Sequence, residues 1–300
     1  MTPLRLLVTG GTGLAGGALV AAAQEDGGFA VHATRHRTPP SAAQARAATW
    51  HPLDVRDRDA AFALLAAVKP AVVLHAALDT SPASLHDVTV LGAAHVAEAA
   101  RAVSAAHVHL SSDMVFDGES GPYDEDAVTR PISNYGRAKA EAERRVRAAH
   151  PDAIVVRLPL LYRLDPPDGA LAAWILAARE GRGYPLFVDE IRCPAQVDDA
   201  ARALLLVARA LADGAPAVPP IVHLPGPRAL SRYQFGVGAL EALGLPASFA
   251  VRGLAADAKS PRPRQLVFVA RHTPASFVAP LRAPETVFSA TTRPTPPAGR

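Results

Sequence analysis

Tyr135 and Lys139 stand four positions apart in "SNYGRAKAE" (133–141), and Ser111 and Ser112 end the apolar run of "VHLSSDMVFDG" (108–118) upstream of them. On a helix, residues four apart share a face. A free phenol ionises near pH ~10 and is a poor proton carrier at neutrality. A neighbouring ammonium favours the phenolate and is expected to lower that value. The phenol could then exchange a proton with a carbonyl or alcohol oxygen, and Ser112 could polarise the same oxygen by hydrogen bonding. By itself a Tyr and a Lys at this spacing can equally be two surface residues, so the surrounding elements decide its meaning.

The first of those elements is a glycine turn. "VTGGTGLAGGALV" follows an apolar run at the N-terminus and opens an alanine-rich stretch. Gly10, Gly13 and Gly16, with Leu14 between the last two, give the strand–turn–helix context in which backbone N–H groups and a helix N-terminus receive a pyrophosphate. An acid at the end of the second strand would hold the ribose of NAD. The chain instead reads "HATRHR", and Arg35 and Arg37 suit a 2′-phosphate, which favours NADP(H). Asp54 in "HPLDVRD" is placed to accept a hydrogen bond from the adenine amine, or to serve as a turn or cap acid.

Around these motifs the first half alternates β-rich runs (4–10, 30–34, 71–77, 107–112, 153–159) with helical stretches (17–26, 58–68, 90–103). Continuous apolar strands between helices predict an α/β fold, a doubly wound parallel sheet of Rossmann type. Ligands then sit beyond the carboxyl ends of the strands, where Ser112 lies. The rhythm changes near "RLDPPDG", so residues 1–164 are expected to bind NADP. Residues 165–290 would form a smaller, partly interleaved substrate lobe, with 196–226 returning to the sheet domain. The tail 291–300 has no apolar period and is expected to be disordered.

A formal charge of +3 with scattered basic residues gives little support for nucleic-acid binding. The single cysteine, Cys193, excludes an intrachain disulfide. With no signal-peptide pattern and no apolar run long enough to span a membrane, a cytoplasmic protein is expected. The histidines lack a tight metal spacing; His107 and His109 alternate on a strand and read as packing or surface residues. Asp189 and Glu190 are adjacent, hence divergent, and do not suggest a glycosidase pair.

Taken together, "TGGTGLAG", "SSDMVFDG", "PISNYGRAKAEAE", "DEIRCPAQVDDAARAL" and "RPRQL" resemble the extended short-chain dehydrogenase/reductases, and within them the dTDP-4-dehydrorhamnose reductases. The resemblance implies hydride transfer from NADPH, with NADH possible, to a 4-keto-6-deoxy sugar nucleotide. It makes Ser112, Tyr135 and Lys139 catalytic, with Tyr135 and Lys139 also contacting the cofactor and Lys139 reaching the nicotinamide ribose hydroxyls. Ala76 and Ala77 would lie beneath the cofactor, with His75 where asparagine is common. Met114 and Arg192, with Ser112, would face the substrate. The departures are Leu160 where a tryptophan is frequent, Thr89 for an asparagine, and no glutamate near Ala18 for a metal-bridged dimer; no metal is expected. A monomer and a homodimer both fit. Two alternatives stay open: an NAD-dependent sugar-nucleotide epimerase or dehydratase, and an NADP-binding regulatory subunit like the β subunit of methionine adenosyltransferase, which shares "SSDMVFDG" and "RLPLLY".

Overall fold

A computed structural model describes residues 3–214 and 218–291. Its centre is a parallel seven-stranded sheet built from β1 (Leu4–Thr9), β2 (Phe29–Arg35), β3 (Thr49–Pro52), β4 (Val72–His75), β5 (Ala106–Ser112), β6 (Ile154–Leu158) and a last strand, Ile221–His223. From one edge the order is Ile221–His223, β6, β5, β4, β1, β2, β3. The chain reverses direction across the sheet between β1 and β4, and that switch point opens a crevice at the carboxyl ends of the strands.

Successive strand residues point to opposite faces, and both faces are covered. Leu6 and Val8 join the core formed with helices α1 (Leu14–Asp26) and α7 (Val197–Ala212), whereas Leu7 and Val73 pack on α3 (Arg58–Val68) and α4 (Gly92–Ala102). Helix α5 (Asn134–Ala149) lies beside α4, with Ala142 and Val146 against Ala93 and Ala97. β3 escapes the sequence reading because "TWHP" is four residues long, half exposed, and closed by a proline that only an edge strand tolerates.

Beyond β6 a second core gathers Tyr162, Trp174, Leu186, Phe235 and Phe288 around α6 (Gly169–Arg179) and α8 (Arg232–Ala242). α7 and Ile221–His223 belong to the sheet layers, the strand pairing in parallel with β6. A small three-stranded sheet, Leu230–Ser231, Ile191–Arg192 and Gln265–Leu266, stands between the two cores. Next to it Phe116, Tyr123, Cys193 and Phe268 are packed together. Of the tail expected over 291–300, Thr291 belongs to the last helix, and 292–300 lie outside the described residues. No helix among the described residues is long and apolar enough to cross a membrane. No group of three or more His, Cys, Asp or Glu side chains among them could hold a metal ion.

Candidate active site

The crevice at the switch point is a cleft of about 600 Å³ whose lining includes Gly10, Gly13, Leu14, Arg37, Asp54, Ala76 and Ala77. Gly10 adopts a left-handed φ of 67°, and a Cβ on Gly16 would collide with the Gly10 carbonyl oxygen. The turn therefore folds back onto itself, which brings the start of α1 up to the strand ends. Gly13 stands before α1 as its N-cap without a side-chain hydrogen bond, and the first turn holds no acid, so no side chain competes for the N–H groups that open the helix. The Thr34 hydroxyl accepts from the Gly10 N–H at 3.1 Å and ties the turn to β2.

At the far end of the cleft, Asp54 accepts from Arg56 through both carboxylate oxygens, at 2.9 and 2.6 Å. Those hydrogen bonds hold its carboxyl down to about 2. Arg37 is exposed on the rim, but Arg35 is not among the lining residues. Thr34 and Arg35 alternate across the strand, and Thr34 takes the cleft side. Of the two expected arginines, only Arg37 is placed to meet a ligand.

Ser133 caps α5 by accepting from the Gly136 N–H at 3.0 Å, which sets Tyr135 in the first turn. Gly136 has no room for a Cβ against the Met114 carbonyl, so the start of α5 presses onto the turn that follows Ser112. The Ser112 hydroxyl is accordingly one of the groups that act on the Tyr135 phenol. Tyr135 lines a second cavity of about 470 Å³, which shares Thr80 with the cleft.

Lys139 is buried and donates to the Leu110 carbonyl at 2.8 Å. Burial lowers its pKa to about 8, against the pull of Glu143. This corrects one expectation. The Tyr135 phenol is raised to about 12, chiefly by burial and further by the Asp113 carboxylate, while Ser112 and Arg192 oppose the rise. Lys139, which donates to the Leu110 carbonyl, is not among the groups that shift it.

Arg192 also departs from expectation. Its guanidinium is buried and bound to Asp113, with Nε 3.0 Å from Oδ2 and Nη2 2.7 Å from Oδ1, rather than open to a substrate. Met114 is half buried against Val115 and Phe116 and gives Ser112 its backbone N–H at 3.2 Å. Sequence reasoning missed Asp113, although it follows Ser112 directly. It also missed Glu143, which continues the four-residue spacing of Tyr135 and Lys139.

Behind Lys139 lies a row of buried imidazoles. His75 bonds the Thr9 hydroxyl at 2.9 Å and stacks on His109 at 5.6 Å between centroids; His107 follows at 6.0 Å. Burial lowers all three pKa values, that of His75 to about 3. These rings stay neutral in the folded chain but take up protons when unfolded below pH ~6.5. Acid therefore favours unfolding, and stability present above pH ~6.5 is lost as pH falls toward 3. His75 alone should cost about 2 kcal/mol between pH ~6.5 and 5. Urea midpoints at pH 7 and pH 5 test this, with His75→Gln reducing the difference by that ring's share and leaving the shares of His107 and His109. Equal midpoints for the unaltered chain would refute it.

Residues 4–291 match the RmlD substrate binding domain family. Methionine adenosyltransferase 2 subunit beta of Xenopus laevis is 30% identical over 257 residues, 81% of this chain and 73% of that protein. The dTDP-4-dehydrorhamnose reductase of Aggregatibacter actinomycetemcomitans is 28% identical over 241 residues, 78% of this chain and 77% of that one. The solved structure of dTDP-4-dehydrorhamnose reductase from Bacillus anthracis str. Ames in complex with NADP is similar with a TM-score of 0.76 at 18% identity. It covers 97% of this chain and 99% of that one, a likeness of fold. The match runs through the glycine turn, the strand end at Ser112 and the helix of Tyr135 and Lys139, and the chain belongs to the RmlD substrate binding domain family.

Proposed function

We propose that the protein is an NADPH-dependent reductase of a 4-keto-6-deoxy sugar nucleotide or a closely related carbonyl compound. The observation that carries this reading is the packing of the start of α5, which bears Tyr135, onto the turn that follows Ser112, beside a cleft lined by the uncapped start of α1. The folded-back glycine turn and the free first turn of α1 suit a dinucleotide pyrophosphate. Ala76 and Ala77 leave room beneath it, and Arg37 suits a 2′-phosphate. When bound, the nicotinamide would supply hydride.

The rest is done by side chains of this chain. Ser112 holds and polarises the carbonyl oxygen, and Tyr135, protonated at neutral pH, delivers a proton to it. Lys139 places a buried cation behind Tyr135. The residues beyond 164 that lie outside the sheet layers would take the sugar nucleotide. The relatives named as reductases support this, as does the NADP in the Bacillus anthracis structure.

A second reading, a regulatory subunit that binds NADP(H) without turnover, is favoured by the methionine adenosyltransferase relatives. One experiment separates the two. Purified protein is mixed with NADPH and dTDP-4-keto-6-deoxyglucose or its epimerised form, and absorbance is followed at 340 nm. Substrate-dependent loss of absorbance is expected. Tight NADPH binding with no turnover on any keto-sugar tested would overturn the reductase reading in favour of the regulatory one.

A further inference from the structure

We infer that Asp113 and Arg192 form a positioning pair, through which the C-terminal lobe sets the orientation of the Ser112 hydroxyl and the charge facing Tyr135. The inference rests on the reductase reading above and assigns Arg192 a role other than substrate contact.

Asp113 is completely buried and accepts three hydrogen bonds from Arg192, at 2.7, 2.7 and 3.0 Å. Its Oδ1 also accepts from the Ser112 hydroxyl at 3.1 Å, while the Met114 N–H donates to that same hydroxyl oxygen. The serine is thus held from two sides, its proton directed to a carboxylate that the guanidinium neutralises. A neutralised carboxylate is a weak acceptor, so the proton can be turned to a substrate oxygen. Without Arg192 the carboxylate would retain it. It would also present an uncompensated negative charge where charge develops on the carbonyl oxygen during reduction.

Arg192 comes from the small three-stranded sheet between the two cores, paired with Leu230 on one side and Leu266 on the other. Behind it Glu190, itself buried, holds Arg192 at 3.4 Å and Arg262 at 2.8 Å. The buried chain Ser112–Asp113–Arg192–Glu190 therefore runs from the strand end into the lobe and ends on the half-exposed Arg262. A buried ion pair of this kind adds little net stability, because desolvation offsets the attraction. Its place beside the serine is what gives it a use. The charged groups facing Tyr135 are Asp113 and Arg192, and Glu190 faces Asp113 and Arg192 in turn.

A double-mutant cycle tests the pair. Asp113→Asn and Arg192→Gln are each expected to lower kcat by roughly 10–100-fold, with the double variant no worse than the poorer single one. NADPH affinity, set in the cleft, should stay within about twofold in all three, a range far below that coupling. Arg192→Lys, which keeps the charge without the planar fork, should recover part of the loss. Additive losses, or a change confined to KM, would overturn the inference and return Arg192 to substrate contact.

A second readout needs no turnover. Phenolate absorbance at 295 nm is titrated for each protein against the same protein carrying Tyr135→Phe. Asp113→Asn leaves the Arg192 charge unbalanced and should bring Tyr135 ionisation to lower pH, whereas Arg192→Gln should not. Identical titrations in all three would refute the coupling. Should the unaltered protein turn over no carbonyl substrate while these shifts appear, the reductase reading falls and the pairing stands.

Discussion

Tyr135→Phe is expected to reduce turnover by about 10²–10⁴-fold while leaving NADPH affinity unchanged. The phenol makes its contribution at one atom, and phenylalanine removes that atom with little change of volume. In the free protein Tyr135 is pushed up to about 12, so it is fully protonated through the neutral range and is a donor at rest rather than a phenolate waiting for a proton. That suits the reduction direction, in which the carbonyl oxygen gains a proton as hydride arrives. The group that titrates nearer neutrality is Lys139, lowered to about 8 by burial. If its cation supports the proton transfer, kcat should fall as pH rises through about 8, well before Tyr135 ionises. Fluorescence titration with NADPH and a kcat–pH profile check the two halves. A Tyr135→Phe protein retaining more than a tenth of the activity would sink the assignment.

The outline of this site was legible because its parts obey short-range rules. The glycine turn is fixed by backbone geometry, and the Tyr–Lys spacing by the helical repeat. Ser112 follows from the end of an apolar strand. What was not legible depends on partners distant in sequence. Arg192 was read as a substrate ligand from the family resemblance; its partner Asp113 lies 79 residues away on a different element, and pairing at that range leaves no local pattern. Tyr135 was expected to be acidified by Lys139, yet burial dominates and raises it, and burial of a single side chain is not revealed by side-chain spacing. Arg35 failed for a simpler reason. Where β2 stops decides whether residue 35 or its neighbours face the cleft, and strand ends are the least certain feature of a sequence reading. For His107 and His109 the reading left packing and surface open, because alternation alone does not tell a half-exposed strand from a central one; this strand is central and covered on both faces, so both rings are packed inside.

Glu143→Leu should be the most destabilising single change near the site, at about 3–5 kcal/mol. Glu143 is two helical turns beyond Tyr135 on the same face of α5. It accepts from the Arg157 guanidinium at 2.9 and 3.1 Å and from the Ser111 hydroxyl at 2.5 Å, all buried. Removing the carboxylate leaves the Arg157 cation on the central sheet with the Phe116 ring, 5.1 Å away, and with His223, at 3.3 Å, whose pKa is lowered to about 4; neither carries a balancing negative charge. The cost is the stranded charge more than the lost bonds, and that can be tested directly. Glu143→Leu combined with Arg157→Met removes both charges and should recover much of the loss, leaving the double variant more stable than Glu143→Leu alone. Urea midpoints of the three proteins measure this; a double variant less stable than either single one would show that shape, not charge, is what the pair supplies. The milder Glu143→Gln keeps the shape and carries the argument into the site. Glu143 is the group that holds the Lys139 pKa up, so its neutralisation should move the alkaline fall in kcat to lower pH. An unmoved pH profile would separate Lys139 from the titration that limits the reaction.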